Sequence, residues 1–187
     1  LLRADYPDIE VRLTTGNEPV DALVGDYDLI IRGGPDAFDG FESRYLLPER
    51  RLPVCSPSLV ERLPLNRIGD LDRHTLLHVA SMPRLWRDWL AKTGYGALTP
   101  AAALTLDHFY LSIQAALDGL GVAIGPATLI EDDLRAGRLI TPFATVSLPA
   151  RSYFGYVPLD CAARVASVLF CDWIVATGRP PSRAYDH

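Results

Sequence analysis

At 187 residues, with 49% apolar and 22% charged side chains, the chain is long enough to bury a core and too apolar to be disordered. Its net charge of −5 excludes this chain as itself the grip on nucleic acid, which needs a clustered basic surface. Cys55, Cys161 and Cys171 form neither a CxxC pair nor a set at metal-ligand spacing, so they read as small buried apolar side chains in a reducing cytoplasm, with no metal or cofactor expected.

In chain order, residues 1–6 read as the tail of a helix, and Pro7-Asp8 as a turn. Ile9-Glu-Val-Arg-Leu13 alternates like a strand, and Thr14-Thr-Gly-Asn17 is a polar loop. Residues 18–24 predict a short helix, with Pro19 near its start and Gly25 past its end. A buried strand at 28–31 is broken by Arg32-Gly-Gly-Pro35, and 41–47 is a further extended piece. Residues 51–55 form a strand, after which Ser56-Pro57 opens a helix with Ser56 as cap. Residues 75–79 read as a strand, and 83–92 as a helix with Leu85, Trp86, Trp89 and Leu90 on one side.

Leu104 to Pro126 reads as strand, helix and strand. Asp107 is the expected N-cap, and Phe109, Ile113, Ala116, Leu117 and Leu120 form one apolar stripe. Gly119 and Gly121 end the helix, and Val122-Ala-Ile124 is a buried strand stopped by Pro126. Such a unit implies parallel strands joined by a right-handed crossover, with ligands near strand C-termini and helix starts. A helix at 127–136, a strand at 139–140 and an aromatic strand at 152–157 follow. The last helix, 162–176, carries Val165, Val168, Leu169, Trp173 and Ile174 on one face, and 178–187 reads as a mobile tail. Alternating strands and helices make the chain α/β with mostly parallel sheets.

No motif specifies catalysis. The nucleophile elbow, the zinc-protease helix and the phosphate-binding loop are all absent, and Gly119-Leu-Gly121 lies after a helix, the wrong order for a dinucleotide loop. His78 and His108 read as structural histidines. Binding has more support: Thr14, Thr15, Arg32, Gly33, Ser56, Asp107 and Pro126 all follow predicted strands, where backbone N–H groups and an arginine fork suit an anion or carboxylate. The chain opens Leu-Leu-Arg with no signal peptide and reads as an internal fragment; no apolar run approaches the roughly 20 residues that span a bilayer.

Seven segments in register resemble the effector-binding domain of LysR-type transcriptional regulators. They are Tyr6-Pro-Asp-Ile-Glu-Val-Arg-Leu13, Asp28-Leu-Ile-Ile-Arg-Gly-Gly34, Leu52-Pro-Val-Cys-Ser-Pro57, residues 71–77, Trp86-x-x-Trp-Leu90, Leu117-Asp-Gly-Leu-Gly-Val-Ala-Ile-Gly-Pro126 and Asp133-Leu-Arg-Ala-Gly-Arg-Leu139. The Ile-Arg-Gly-Gly and Gly-Leu-Gly-Val-Ala-Ile-Gly-Pro pieces are most similar to the subgroup of glycine-cleavage and β-lactamase regulators.

The resemblance implies a two-lobed fold of periplasmic-binding-protein type 2, with lobe one at 1–50 and 155–177, lobe two at 51–154, and a small-molecule effector in the cleft. It carries over Thr14, Thr15, Arg32, Gly33, Cys55, Ser56, His108, Phe109, Pro126 and Tyr156 as effector contacts, with Trp86 a weaker candidate. It further implies a homodimer or tetramer through these domains, and DNA contact only through an N-terminal helix-turn-helix domain that this chain lacks. The family's first strand and its hydroxyl-bearing loop are likewise expected to be missing, and Asp107 departs from the small hydroxyl residue of some relatives. Two other classes stay open at this point. One is a transporter's solute-binding protein; the other is an enzyme using Asp107 and His108.

Overall fold

The computed structural model describes residues 2–178 except Asn17, Val24 and Asp36; residues 179–187 of the expected tail lie outside the described residues. The elements are α1 (Leu2–Asp5), a 3-10 turn (Val20–Leu23), β1 (Ile30–Gly33), β2 (Phe41–Leu47), β3 (Arg50–Val54), α2 (Pro57–Arg62), a 3-10 turn (Ile68–Arg73), β4 (Thr75–Val79), α3 (Leu85–Lys92), β5 (Ala102–Leu106), α4 (Phe109–Leu117), β6 (Val122–Pro126), α5 (Ala127–Arg135), β7 (Leu148–Pro149), β8 (Tyr153–Pro158) and α6 (Arg164–Thr177). They fall into two compact units, Leu1–Pro48 with Arg151–His187, and Glu49–Ala150.

In the first unit β8 lies between β1 and β2 and runs antiparallel to both, pairing Ile30 and Ser43 with Tyr156. Successive β8 side chains go to opposite faces, as the pleat requires. Tyr156 packs with Val20, Ile30, Phe38 and Phe41, whereas Val157 packs with Leu46 and Cys171. α6 covers the second of these faces, but not with the stripe the sequence suggested. Val165 is 74% exposed, and Ile174 of that stripe turns inward together with Cys171 and Val175. The small residues explain the turn of the helix. A Cβ at Gly155 would lie 2.7 Å from Cys171 Sγ, and Ser167 Oγ donates to the Asp28 carbonyl at 2.9 Å, so α6 seats closest where its side chains are shortest. The expected strand at 9–13 is not formed. Its alternation is real, yet it makes no ladder among the described residues, and Val11 and Leu13 are 50% and 86% exposed. Alternation needs a neighbouring strand before it becomes a strand.

The second unit is a five-stranded sheet in the order β5-β4-β6-β3-β7. β4 pairs parallel with both β5 and β6, so the β5–α4–β6 crossover passes over β4 to reach the strand beyond it. β3 runs antiparallel to β6 and β7. The expectation of mostly parallel sheets is therefore corrected: parallel pairing is confined to β4, β5 and β6. β3 and β8, the first strands after the two places where the chain passes from one unit to the other, run against their neighbours.

One face of this sheet is covered by Trp86 and Trp89, edge to face at 5.8 Å, with Leu71, Leu76, Val122 and Ile124. Trp86 Nε1 donates to the Leu77 carbonyl at 2.9 Å and Trp89 Nε1 to the Val146 carbonyl at 3.0 Å, so both indoles are buried with their donors satisfied. Trp86 is a core residue. The other face packs Val54, Leu77 and Ala123 against Ile113 and Ala116 of α4 and Ile130 of α5. Leu120, expected in the α4 stripe, is exposed past the helix end.

Gly125 is where α4 and α5 close on the sheet. A Cβ there would stand 2.7 Å from Ile113 Cδ1 and 2.8 Å from Ile130 Cγ2. Gly125→Ala is expected to destabilise by about 1–3 kcal/mol, the usual effect of overpacking a filled core. The measurement is urea unfolding followed by tryptophan fluorescence, and an unchanged midpoint would show that the helices yield freely.

Candidate functional site

At one edge of the second unit's sheet the C-terminal ends of β4, β5 and β6 lie together with the start of β3. Val79 is level with Leu106, and Pro126 is paired with Arg51. Two helices begin at this edge. α4 starts after His108, whose extended backbone makes it the N-cap but whose side chain makes no cap bond. Asp107 is exposed and is not the cap, one residue short of the expected register. α5 starts after Pro126, which has no side-chain acceptor for its first N–H groups.

Glu49 fills that deficit from far away in sequence. Its Oε1 accepts from Ala127 N at 2.9 Å and from Arg50 N at 2.7 Å, so a buried carboxylate caps α5 at the positive end of the helix. Burial raises its pKa above the usual carboxylate value. The N–H bonds from Arg50 and Ala127, the nearby Arg51 charge and the Thr128 N–H oppose that rise without cancelling it. Arg51 stands beside it with the guanidinium carbon 5.6 Å from the Phe109 ring centroid, and its enclosed Nε has no hydrogen-bond partner. The edge thus offers a cation, an aromatic face and the open first turn of α4. That is equipment for holding a ligand. Asp107 and His108 are both exposed, and no hydrogen bond joins them among the described residues.

Of the residues expected from sequence, His108, Phe109 and Pro126 meet at this edge. Cys55 and Ser56 lie away from it. They were grouped with the others because they too follow a strand, but "after the strand" means the same edge only where strands are parallel. β3 is reversed, so Arg51 lies beside Pro126 while Cys55 lies past the Val54–Ala123 pair, roughly 13 Å along the strand. Cys55 is fully buried, bridges to Ile140, and has its thiol pKa pushed up by burial to about 12. Ser56 is the N-cap of α2 without a cap bond, its hydroxyl 3.1 Å from that of Ser58.

In the first unit, Arg32 and Gly33 lie on β1 opposite Phe154 and Tyr153, with Arg32 half-buried and Gly33 exposed. Thr14 and Thr15 are exposed and in no regular element. Tyr156 is fully buried; its hydroxyl donates to the Pro35 carbonyl at 2.6 Å and its ring meets Phe38 edge to face at 5.2 Å. It fixes the turn after β1, and a side chain at Gly34 would run into its hydroxyl. Glu49 and Arg51 were missed in the sequence. Two arginines opening an apolar strand were the available signal for Arg51, whereas nothing local links Glu49 to a helix that starts at residue 127.

The model of the LysR substrate binding domain matches residues 1–179. The chain belongs to the LysR substrate-binding domain family. The glycine cleavage system transcriptional activator of Escherichia coli (strain K12) is 34% identical over 173 residues, covering 91% of this chain and 56% of that protein. The transcriptional regulator TrpI of Pseudomonas aeruginosa is 35% identical over 156 residues, 80% of this chain and 52% of that protein. The chain therefore spans about half the length of the curated relatives it matches. Among solved structures, the effector domain of the regulator AmpR of Pseudomonas aeruginosa superposes with a TM-score of 0.75 at 28% identity, covering 95% of this chain and 84% of that one. The two-lobed type 2 fold expected from the resemblance is the fold of these LysR effector-binding domains. The relatives are transcriptional regulators, which sets aside the solute-binding protein of a transporter.

Because the folded protein holds the Glu49 proton more tightly than the unfolded chain does, this group's contribution to stability is fully present below the unfolded carboxyl pKa and is lost as pH rises through the folded one. Glu49→Gln removes that titration. The unfolding free energy of the variant minus that of the wild type is expected to shift in the variant's favour from pH 4 upward, then level off. Urea titrations across pH 4–8 measure it, and a difference independent of pH would contradict the burial argument.

Proposed function

We propose that this chain is the effector-sensing part of a LysR-type transcriptional regulator. A small molecule binds it and shifts the populations of its conformations, and so alters how a DNA-binding domain elsewhere in the full protein engages its operator. The ligand works only through its different affinities for those conformations. The family match along residues 1–179 carries the reading. The strand-end edge of the second unit supports it, because it collects a cation, an aromatic ring and an uncapped helix start without catalytic partners.

In the second unit the proposed effector contacts are His108, Phe109 and Pro126. In the first they are Thr14, Thr15, Arg32 and Gly33, with Tyr156 holding the turn beside Arg32. The role is binding and not catalysis, in the cytoplasm, where the operator is. Self-association into a dimer or tetramer completes the proposal. Exposed apolar side chains at Leu104, Tyr110, Leu111 and Leu120 are of the kind such contacts cover.

Calorimetric titration and thermal unfolding with amino acids, aromatic acids and cell-wall muropeptides test sensing. A true effector at a hundredfold excess over its Kd stabilises by about 2.7 kcal/mol. For a domain of this size that raises Tm by roughly 5–10 °C. Phe109→Ala is expected to weaken the same ligand at least tenfold. No heat and no Tm change with any of these compounds would count against sensing by this chain.

A further inference from the structure

The arginines of the described residues mostly have visible partners: Arg44 meets Asp172, Arg138 meets Asp133 and Arg164 meets Glu42. Arg51 does not. It is half-buried, its Nε is enclosed and without an acceptor, and no carboxylate lies within ion-pair distance among the described residues. The nearest acid on its own segment, Glu49, is committed through Oε1 to the backbone N–H groups of Arg50 and Ala127; its enclosed Oε2 has no hydrogen-bond partner among the described residues, and it acts on Arg51 only through space. The Phe109 ring restricts the guanidinium from one side. An enclosed charged donor with no acceptor is an expensive thing to keep in a folded protein, and natural structures keep few of them without a reason.

The same spot differs from its neighbour in a telling way. The start of α5 is already occupied by Glu49, whereas α4, nine residues long and begun by the very ring that Arg51 covers, has an N-cap that makes no side-chain bond. A guanidinium needing acceptors and an uncapped helix start both ask for oxygen atoms bearing negative charge.

We propose that the effector carries an oxyanion, a carboxylate or a phosphate, and that Arg51 is the residue that holds it, with the first turn of α4 completing its coordination. This rests on the effector-sensing reading and adds the chemical class of the ligand. Cationic compounds are rejected at this edge, and neutral isosteres of a good ligand bind weakly, because they leave the Arg51 Nε–H without an acceptor.

The test is nuclear magnetic resonance of the arginine Nε–Hε signals in this chain. Benzoate, its neutral isostere benzamide, and inorganic phosphate are titrated against wild type, Arg51→Gln and Arg51→Lys. The expected result is a saturable shift of the Arg51 Nε–Hε signal with benzoate or with phosphate and none with benzamide, the two anions separating a carboxylate site from a phosphate site. Affinity falls at least tenfold in Arg51→Gln, and Arg51→Lys recovers part of it. An Arg51 signal indifferent to both anions overturns the proposal, as does a shift that chloride reproduces at equal ionic strength. Because the wild-type signal is itself a readout, an unfolded variant does not remove the test. Should benzamide move the Phe109 ring signals while Arg51 stays silent to every anion, Arg51 loses this role and effector sensing survives. If an effector found by calorimetry leaves both signals unmoved, this edge is not the site at all.

Discussion

The second unit is organised by the reversal of β3. Its pairing with β6 sets Arg51 against Pro126 and Val54 against Ala123, and that register puts the start of β3, not its end, at the edge where α4 and α5 begin. Burial holds the register, since Leu52, Val54 and Cys55 are almost wholly enclosed and a slip of one residue would send each to the opposite face. Pro53 is tolerated inside this strand for a topological reason. β7 pairs only with Arg50 and Arg51, and the Cys55–Ile140 bridge begins later, so the missing N–H falls where the ladder on that side has a gap.

Two charges at the start of β3 then take different parts. Glu49 turns inward to cap a helix that Pro126 cannot cap, and the cost of burying its carboxylate is seen in its raised pKa. Arg51 lies against an aromatic ring, and its Nε has no acceptor among the described residues. The backbone N–H of Ala127 is held by Glu49 Oε1 at 2.9 Å, while Glu49 Oε2 is enclosed and has no hydrogen-bond partner among the described residues.

Much of the fold was legible. The periodicity of Leu85, Trp86, Trp89 and Leu90 placed a core helix correctly because all four are buried, and the run from Leu104 to Pro126 gave strand, helix and strand in parallel sense. What misled were arguments that needed a neighbour. The alternation at 9–13 does not say whether a partner strand is present, and the apolar stripe of α6 does not say that Cys171 sits against Gly155 and Ser167 bonds the Asp28 carbonyl. The site was half legible for the same reason. His108, Phe109 and Pro126 follow strands of one direction and converge, but Ser56 follows a strand of the other, and strand direction is a property of pairing that no local pattern records.

The contrast between core and edge bears on how such a domain senses anything. Trp86 and Trp89 are buried with both indole donors satisfied, and Gly125 leaves no slack between α4 and α5, so the sheet and its helices form a stiff frame. Unsatisfied polarity at the candidate site lies at Arg51 Nε, at Glu49 Oε2 and at the start of α4, on the rim of that frame. A ligand that supplies the missing acceptors gains most in whichever conformation brings them into register. That difference in affinity is the only lever a ligand has on a conformational equilibrium. A rigid core therefore helps here. It keeps the unmet donors of the rim from finding substitutes by relaxing, so that the free energy of satisfying them is released when the ligand binds.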